Sequence, residues 1–575
     1  MTKLYDHLKP YAGPILFAIF LHIIRTITEL FLPTITADMV NNGITTGNVN
    51  YILQLGLLML GVALLSSIAS ISANYLSSKA ANGFTRDLRQ EVFTQVEHFS
   101  LHEFDRFGTS SLINRTTNDI AQVRTLLDFG LRMSIIAPIM SIGSVIMAYR
   151  RDPGLALVFV VVIPVLALII IGVVYKGLPL FEAVQKKLDE MNLILRERLS
   201  GIRVIRAFHR ESVEKERFQH KNTDYTLTSI AVNRIMGAMM PMVTLTMNLA
   251  ILLIVWFGGF RIMEGHMMVG DLMAFIQYAM QVMSALILLT RVFLIIPKAM
   301  TSWGRVGQIL DTVPEITDPQ TPLEPEAVHG HVRFDKVDFY YPGAEFPALS
   351  GISFEAKPGE TTAIIGSTGS GKTTLASLLL RHYDPTSGSI QVDGVDIRDM
   401  KQETLRSQVG YTAQRTLLFS GSIRENLLWG KEDATDEELE DACRIAQAKE
   451  FIDRLQEGYD HQLSQGAKNL SGGQKQRLAM ARALVGKTPI LLFDDSFSAL
   501  DYTTEARLRL ALAQEMSDRT LLVISQRINT VMEADQILVM DTGRIVGQGT
   551  HEELLKTNPV YQEIVASQLN KEEIA

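Results

Sequence analysis

The stretch that decides the fold is "GSTGSGKT", Gly366 to Thr373. It fits the pattern G-x-x-x-x-G-K-[ST] where that pattern carries meaning, after the apolar run "TTAIIG" and before the helix-like "TTLASLLLRHY". Strand, glycine loop, helix is the order that lets backbone N–H groups wrap phosphate oxygens at a helix N-terminus. Gly366, Gly369 and Gly371 permit the close approach, with Ser367, Thr368 and Ser370 between them. Lys372 is then placed to reach β- and γ-phosphates, and the Thr373 hydroxyl to coordinate Mg2+.

Working outward, "PILLFDD" reads as a buried strand ending in Asp494, a carboxylate that can hold Mg2+ opposite Thr373 as in a Walker B motif. Just upstream lies "LSGGQKQRLAMARAL" (470–484). Ser471, Gly472, Gly473 and Gln474 offer a hydroxyl and bare backbone N–H groups at a helix start, a second anion-binding surface. One nucleotide does not need two phosphate cradles in one fold, so this surface is expected to close over ATP held by a partner subunit. From His331 onward, short β-rich runs such as "HVRFDKVDFYY" and "TLLVIS" alternate with helical stretches, which predicts a soluble α/β P-loop domain over 331–575.

The first half is of another kind. The chain is 47% hydrophobic, and its mean hydropathy of +0.15 is high for a soluble protein of 575 residues. Apolar stretches at 15–40, 52–77, 130–149, 154–175, 237–262 and 270–296 are long enough to cross ~30 Å of hydrocarbon. A six-helix transmembrane domain is therefore expected over 1–310. The loops after spans 2 and 4 are charged and helical in pattern. They hold six and twelve Lys/Arg, whereas the three short loops hold at most two each. That asymmetry puts the long loops, both termini and the α/β domain on the cytoplasmic side of the plasma (inner) membrane. Arg150-Arg151, in a short loop, is the dissenting pair. The Pro-rich, acidic stretch 311–330 reads as an extended linker.

Other totals exclude classes. A net charge of −8 and a pI near 5.9 argue against a nucleic-acid partner, which calls for a basic face. The single cysteine, Cys443, excludes intramolecular disulfides and cysteine metal clusters, and reads as a small core residue.

Together these motifs resemble a half-transporter of the ATP-binding-cassette (ABC) exporter superfamily, in which six membrane helices are fused to one cassette, and the resemblance covers essentially the whole chain. It implies ATP and Mg2+ as cofactors and a dimer as the working unit. It also implies that Tyr341 in "VDFYYP" stacks on adenine, that Gln414 in "VGYTAQ" touches Mg2+, and that "SALD", ending at Asp501, is the D-loop. "RTTNDI" (115–120) and "RAFHRESVEKERF" (206–218) resemble the family's coupling segments.

The chain departs from the family at three places. Asp495 stands where the family has the Glu that polarises the attacking water, Gln526 stands at the switch position usually held by His, and Gln465 stands where an acid is usual. Asp keeps the charge but is shorter by one C–C bond, about 1.5 Å, and misplacement by ~1 Å can cost about 10²-fold. Gln can donate to a γ-phosphate but carries neither proton nor charge near pH 7. Asp495 and Gln526 thus read as a degenerate base and a degenerate switch beside intact ATP-binding and signature motifs. The expectation is one half of a heterodimeric multidrug exporter, whose partner carries the consensus Glu and His.

Span 1 carries Arg25 and Glu29 at i,i+4 on one face, close to His22. They read either as a cavity-lining site for substrate or gating, or as an internal ion pair. Met239, Met240, Met242 and Met247 in span 5 suit varied apolar ligands, and equally suit ordinary lipid-facing or core packing. An amphipathic small molecule, with membrane lipid around it, is the expected cargo class. The alternatives are a homodimeric lipid flippase or peptide exporter, and a non-transporting ATP-gated sensor.

Overall fold

The computed structural model describes residues 6–515 and 517–568; the extreme termini, expected on the cytoplasmic side, lie outside the described residues. The chain forms two compact units, Met1–Glu97 with Ser110–Thr312, and His98–Thr109 with Val313–Ala575.

Among the described residues six helices, which build the first unit, are long and apolar enough to cross a membrane: Asp6–Ile44, Val49–Glu97, Thr109–Arg151, Pro153–Ser200, Glu211–Met263 and Val269–Asp311. Each contains one of the expected apolar stretches. At 1.5 Å per residue the 49-residue second helix is about 74 Å long, more than twice the hydrocarbon thickness. The charged stretches are therefore helix continuations, as good helix formers such as Lys, Arg, Glu and Gln allow. The dissenting Arg151 is not a free charge. It bridges Asp38 at 2.8 Å and Asp271 at 3.0 Å, and donates to the Thr34 carbonyl. Asp152 beside it pairs with Arg261 at 2.6 Å and caps the fourth helix at the Leu155 amide.

In the second unit the strands are β1 (Val332–Phe339), β2 (Leu349–Ala356), β3 (Thr361–Gly366), β4 (Ser387–Val392), β5 (Val395–Asp396), β6 (Val409–Thr412), β7 (Gly421–Ser422), β8 (Gln462–Leu463), β9 (Ile490–Asp494), β10 (Thr520–Ser525), β11 (Gln536–Asp541) and β12 (Arg544–Gly549). One sheet has the order β2-β1-β4-β5, and the main sheet β12-β11-β3-β10-β9-β6. β11, β3, β10, β9 and β6 run parallel. Every residue of β9 is buried, as expected for a parallel strand covered on both faces.

The linker is extended but strapped to this unit. Glu315 N–H donates to Glu103, Arg381 to the Thr317 carbonyl, Gln402 to Asp318, and Leu323 N–H to the Asp399 carbonyl. The Asp393 carboxylate collects the amides of His329, Gly330 and His331.

Candidate nucleotide site

Register builds the site. β10 lies between β3 and β9, with Ile524 beside Ile364 on one side and Asp494 on the other. The carboxyl ends of these strands therefore bring the glycine loop, the Asp494-Asp495 pair and Gln526 to one edge, where open α/β sheets hold ligands. A cleft of about 580 Å3 opens there, lined by Tyr341, Thr368, Gly369, Gly371, Lys372, Thr373, Gln414, Asp494, Asp495 and Gln526 among others.

The loop needs its glycines. Gly369 and Gly371 sit at φ of 83° and 100°, and a Cβ on Gly366 would lie 2.2 Å from the Met540 carbonyl. Ser370 is buried, and Lys372 Nζ donates to the Gly366 and Ser367 carbonyls at 2.8 and 2.7 Å. Burial pushes the Lys372 pKa down, opposed by Asp494 and Asp495.

Thr373 Oγ1 donates to Asp494 Oδ1 at 3.4 Å, while Asp494 Oδ2 is buried with no hydrogen-bond partner among the described residues. Burial pushes the Asp494 carboxyl up to about 6; Asp495 adds to the rise, while Thr373 and Lys372 oppose it. A hydroxyl beside a half-orphaned carboxylate is a donor set that fits Mg2+, and these two residues would hold it. Such a cation supplies charge neutralisation for phosphates.

Asp495 takes a left-handed backbone conformation at φ 49°, with its amide donating to the Ile524 carbonyl at 2.9 Å. Burial raises its pKa, opposed by Arg527, by a hydrogen bond from Gln414, and by Lys372. Gln526 Oε1 accepts from Thr368 Oγ1 at 3.5 Å, a long contact. Tyr341 is fixed by Thr374, at 3.0 Å from its hydroxyl, and by edge contacts with Phe339 and Tyr383, and part of it is exposed at the cleft.

The signature residues lie elsewhere. Ser471 caps the helix Gly472–Val485 in a reciprocal box with Gln474, and a Cβ on Gly473 would meet the Ala499 carbonyl at 3.0 Å. None of Ser471 to Gln474 lines the cleft of its own chain, and neither does Asp501, which caps its own helix through Thr504. Gln476 ties the two segments, donating to Ser498 Oγ and accepting from the Ala499 amide. Arg527 donates to the Ser498 carbonyl at 2.6 Å, and neither it nor Gln476 carries a motif signal of its own in the sequence. Gln476 lies inside the signature run, whose spacing does not show its Ser498 and Ala499 partners.

The remaining candidates sit apart. Arg25 Nε donates to Glu29 at 2.9 Å, both side chains about a quarter exposed. Met239 and Met247 pack partly buried, whereas Met240 and Met242 are exposed. Cys443 is fully buried, which pushes its thiol up to about 12. Gln465 starts a short 3-10 turn through Ala467, whose Gly466 carbonyl accepts from Lys475.

Residues 15–286 match the ABC transporter transmembrane region family and residues 349–498 the ABC transporter family. An uncharacterized ABC transporter ATP-binding protein of Mycobacterium tuberculosis is 40% identical over 572 residues, spanning 99% of this chain and 98% of that one. The chain belongs to the ABC transporter family. It is a half-transporter of the exporter type, one membrane domain followed by one ATP-binding domain. An ATP-dependent lipid A-core flippase of Chromobacterium violaceum is 30% identical over 571 residues, covering 99% of this half-transporter and 97% of the flippase. A solved structure described as a bacterial Atm1-family ABC exporter with ATP bound superposes with a TM-score of 0.78 at 27% identity, over 98% of this chain and 99% of that one. As an ABC exporter, the half-transporter binds ATP, couples ATPase activity to transport across a membrane, and functions as a dimer.

Proposed function

We propose that this half-transporter is the ATP-holding subunit of a heterodimeric exporter of amphipathic compounds, with drugs as the leading cargo class. Asp495 carries the reading. It stands at the position of the hydrolytic Glu, one bond short, and lines the nucleotide cleft together with Gln414 and Gln526. Gln526 beside it cannot take up a proton near pH 7. Lys372, Thr373 and Asp494 keep the arrangement that binding needs, with Tyr341 placed for adenine and Gln414 near the metal position. Ser471, Gly472, Gly473 and Gln474, facing away from this cleft, complete a site on a partner whose own Walker B carries Glu and whose switch is His. Hydrolysis then falls mainly to that partner's site.

The orientation follows the Lys/Arg asymmetry, with the nucleotide domain cytoplasmic at the plasma (inner) membrane. In the first long loop, the residues that group with the nucleotide domain are His98–Thr109, about ten positions before "RTTNDI". Arg115 to Asp119 instead pack within the membrane unit, where buried Asp119 holds Ser302 and Arg305. The coupling role is therefore assigned to His98–Thr109.

Mg-ATPase turnover of the purified chain, alone and with a candidate partner, tests the proposal. Slow turnover alone and a large gain in the pair are expected; robust turnover as a homodimer defeats it. The 30% identical lipid A-core flippase favours a second reading, a homodimeric lipid flippase. Lipid-stimulated turnover of the chain alone would select that reading.

A further inference from the structure

The helix Pro559–Gln568 docks through apolar contacts. Tyr561 and Val565 are buried in one cluster with Ala363 and Ile365 of β3 and with Ile528 just after β10. Gln568, at the end of that helix, makes a more specific contact. Its Nε2 donates to the Gln526 carbonyl at 2.7 Å, and its Oε1 accepts from the Ile528 amide at 2.9 Å. A single side-chain amide thus satisfies two backbone groups that flank Arg527, a fork that needs one donor and one acceptor on the same head group.

That fork fixes the direction in which the chain leaves β10. With the Gln526 carbonyl and the Ile528 amide held, the Gln526 side chain points to Thr368 in the glycine loop, 3.5 Å away. Arg527, between the two held groups, reaches the Ser498 carbonyl at 2.6 Å and Glu505 at 3.7 Å. Gln568 itself does not line the cleft.

We infer that Gln568 is a positioning residue for the nucleotide site, setting Gln526 at the phosphate end of the cleft from 42 positions downstream. The inference rests on the reading that Gln526 faces the nucleotide. It gives the C-terminal helix a role in ATP binding, and it makes the switch segment depend on an element outside the motif set.

The test uses the purified full-length chain and Mg-ATP itself, with equilibrium binding and amide exchange as readouts. Q568A is expected to weaken Mg-ATP binding about tenfold, as loss of one to two hydrogen bonds implies, and to speed exchange of the Ile528 amide in nucleotide-free protein. Q562A, on the same helix but donating to the Leu555 carbonyl, is expected to change neither. In a Q526A background Q568A should change affinity less than twofold, because a positioning effect has nothing left to position. Q568E keeps the acceptor for Ile528 but sets a carboxylate oxygen against the Gln526 carbonyl, so it repeats the loss if Q568A does not fold. An undiminished Q568A loss in the Q526A background, or no loss at all, overturns the inference and leaves the exporter reading standing. If Q526A alone leaves Mg-ATP binding unchanged, the underlying reading of Gln526 fails first.

Discussion

Thr373 Oγ1 lies 3.4 Å from one oxygen of Asp494, and the other oxygen of that carboxylate is buried without a hydrogen-bond partner among the described residues. A buried acceptor left unpaired costs about 1–3 kcal/mol. It persists here because the same oxygen is free to meet a cation. D494N therefore has two opposite expected effects. The metal-free protein melts higher, since a buried charge has been removed. Mg2+ ceases to strengthen ATP binding, a loss of at least about tenfold, given that even outer-shell partners of a metal are worth that much. Thermal melting without Mg2+ and ATP titration with and without a chelator measure the two effects.

Asp495 and Gln526 predict a gain rather than a loss. D495E restores the missing bond length, and it is expected to raise Mg-ATPase turnover on the order of 10²-fold. Q526H on top should raise it further. The gain has a conformational cost, because residue 495 sits at φ 49°. Asp tolerates that region better than Glu, so D495E should cost about 1 kcal/mol of stability. A turnover assay paired with a melting curve reads both. A turnover unchanged by both substitutions would mean that the original residues already hydrolyse at full rate.

What was legible follows from how local each determinant is. Lys372, Thr373 and Asp494 were readable because a loop of eight residues and one apolar strand carry them. Their meeting also needed β10 between β3 and β9, which strand order supplies and sequence spacing does not. Asp495 was readable by identity, but its left-handed backbone was not, because Asp also occurs freely in ordinary strand ends. Gln568 was invisible, since its partners are backbone groups of Gln526 and Ile528, which leave no side-chain signature. Arg151 reads as a dissenting orientation signal because a loop count of Lys and Arg takes each charge without its partners. Asp38 and Asp271, distant in sequence, neutralise it. "RTTNDI" hides its partners in the same way: its Asp119 is committed to Arg305 and Ser302, far downstream in the sequence.

Arg151 should be more expensive to lose than either acid it holds. R151A leaves Asp38 and Asp271 without their shared cation, two carboxylates converging on one point. D38N and D271N each leave the arginine one acid and the Thr34 carbonyl. Breaking a fully buried pair costs about 3–5 kcal/mol. Arg151 is 22% exposed, so the expected loss is smaller, about 1–3 kcal/mol for R151A. D38N should cost less than 1 kcal/mol, as a partly exposed pair does. Melting of the detergent-solubilised variants ranks them. A loss in D38N or D271N that equals that of R151A would show that the arginine acts through that one acid alone.

The Arg25–Glu29 contact separates the two readings of span 1. At 2.9 Å each charge already has its partner within one turn of helix. If the pair serves packing, R25A and E29Q each reduce transport, and the swapped R25E/E29R variant recovers most of it. If Glu29 binds a cationic substrate, the swap recovers nothing and E29Q abolishes uptake of cations alone. Recovery in the swap is the expected result, measured as ATP-dependent dye uptake into inverted vesicles that contain the assembled dimer.

Glu103 supplies the pH-dependent prediction. Its buried carboxylate accepts from the Ser100 amide and hydroxyl at 2.7 and 2.6 Å, and from the Glu315 amide at 3.1 Å. Burial alone would raise its pKa, but the Ser100 and Glu315 hydrogen bonds outweigh it and hold the carboxyl below its ordinary value of 4.5. A depressed acid contributes stability that is fully present above the unfolded value and is lost as pH falls through the lower folded one. The tie between helix Leu101–Phe107 and the linker should therefore be unchanged from pH 7 to 5 and loosen only below about 4.5. Exchange of the Ser100 and Glu315 amides, corrected for intrinsic rates, follows it directly. E103A is expected to release both amides at every pH, at a cost of about 1.5–3 kcal/mol for hydrogen bonds to a charged group. Because the cleft contains none of these residues, E103A should leave Mg-ATP binding intact while uncoupling it from transport.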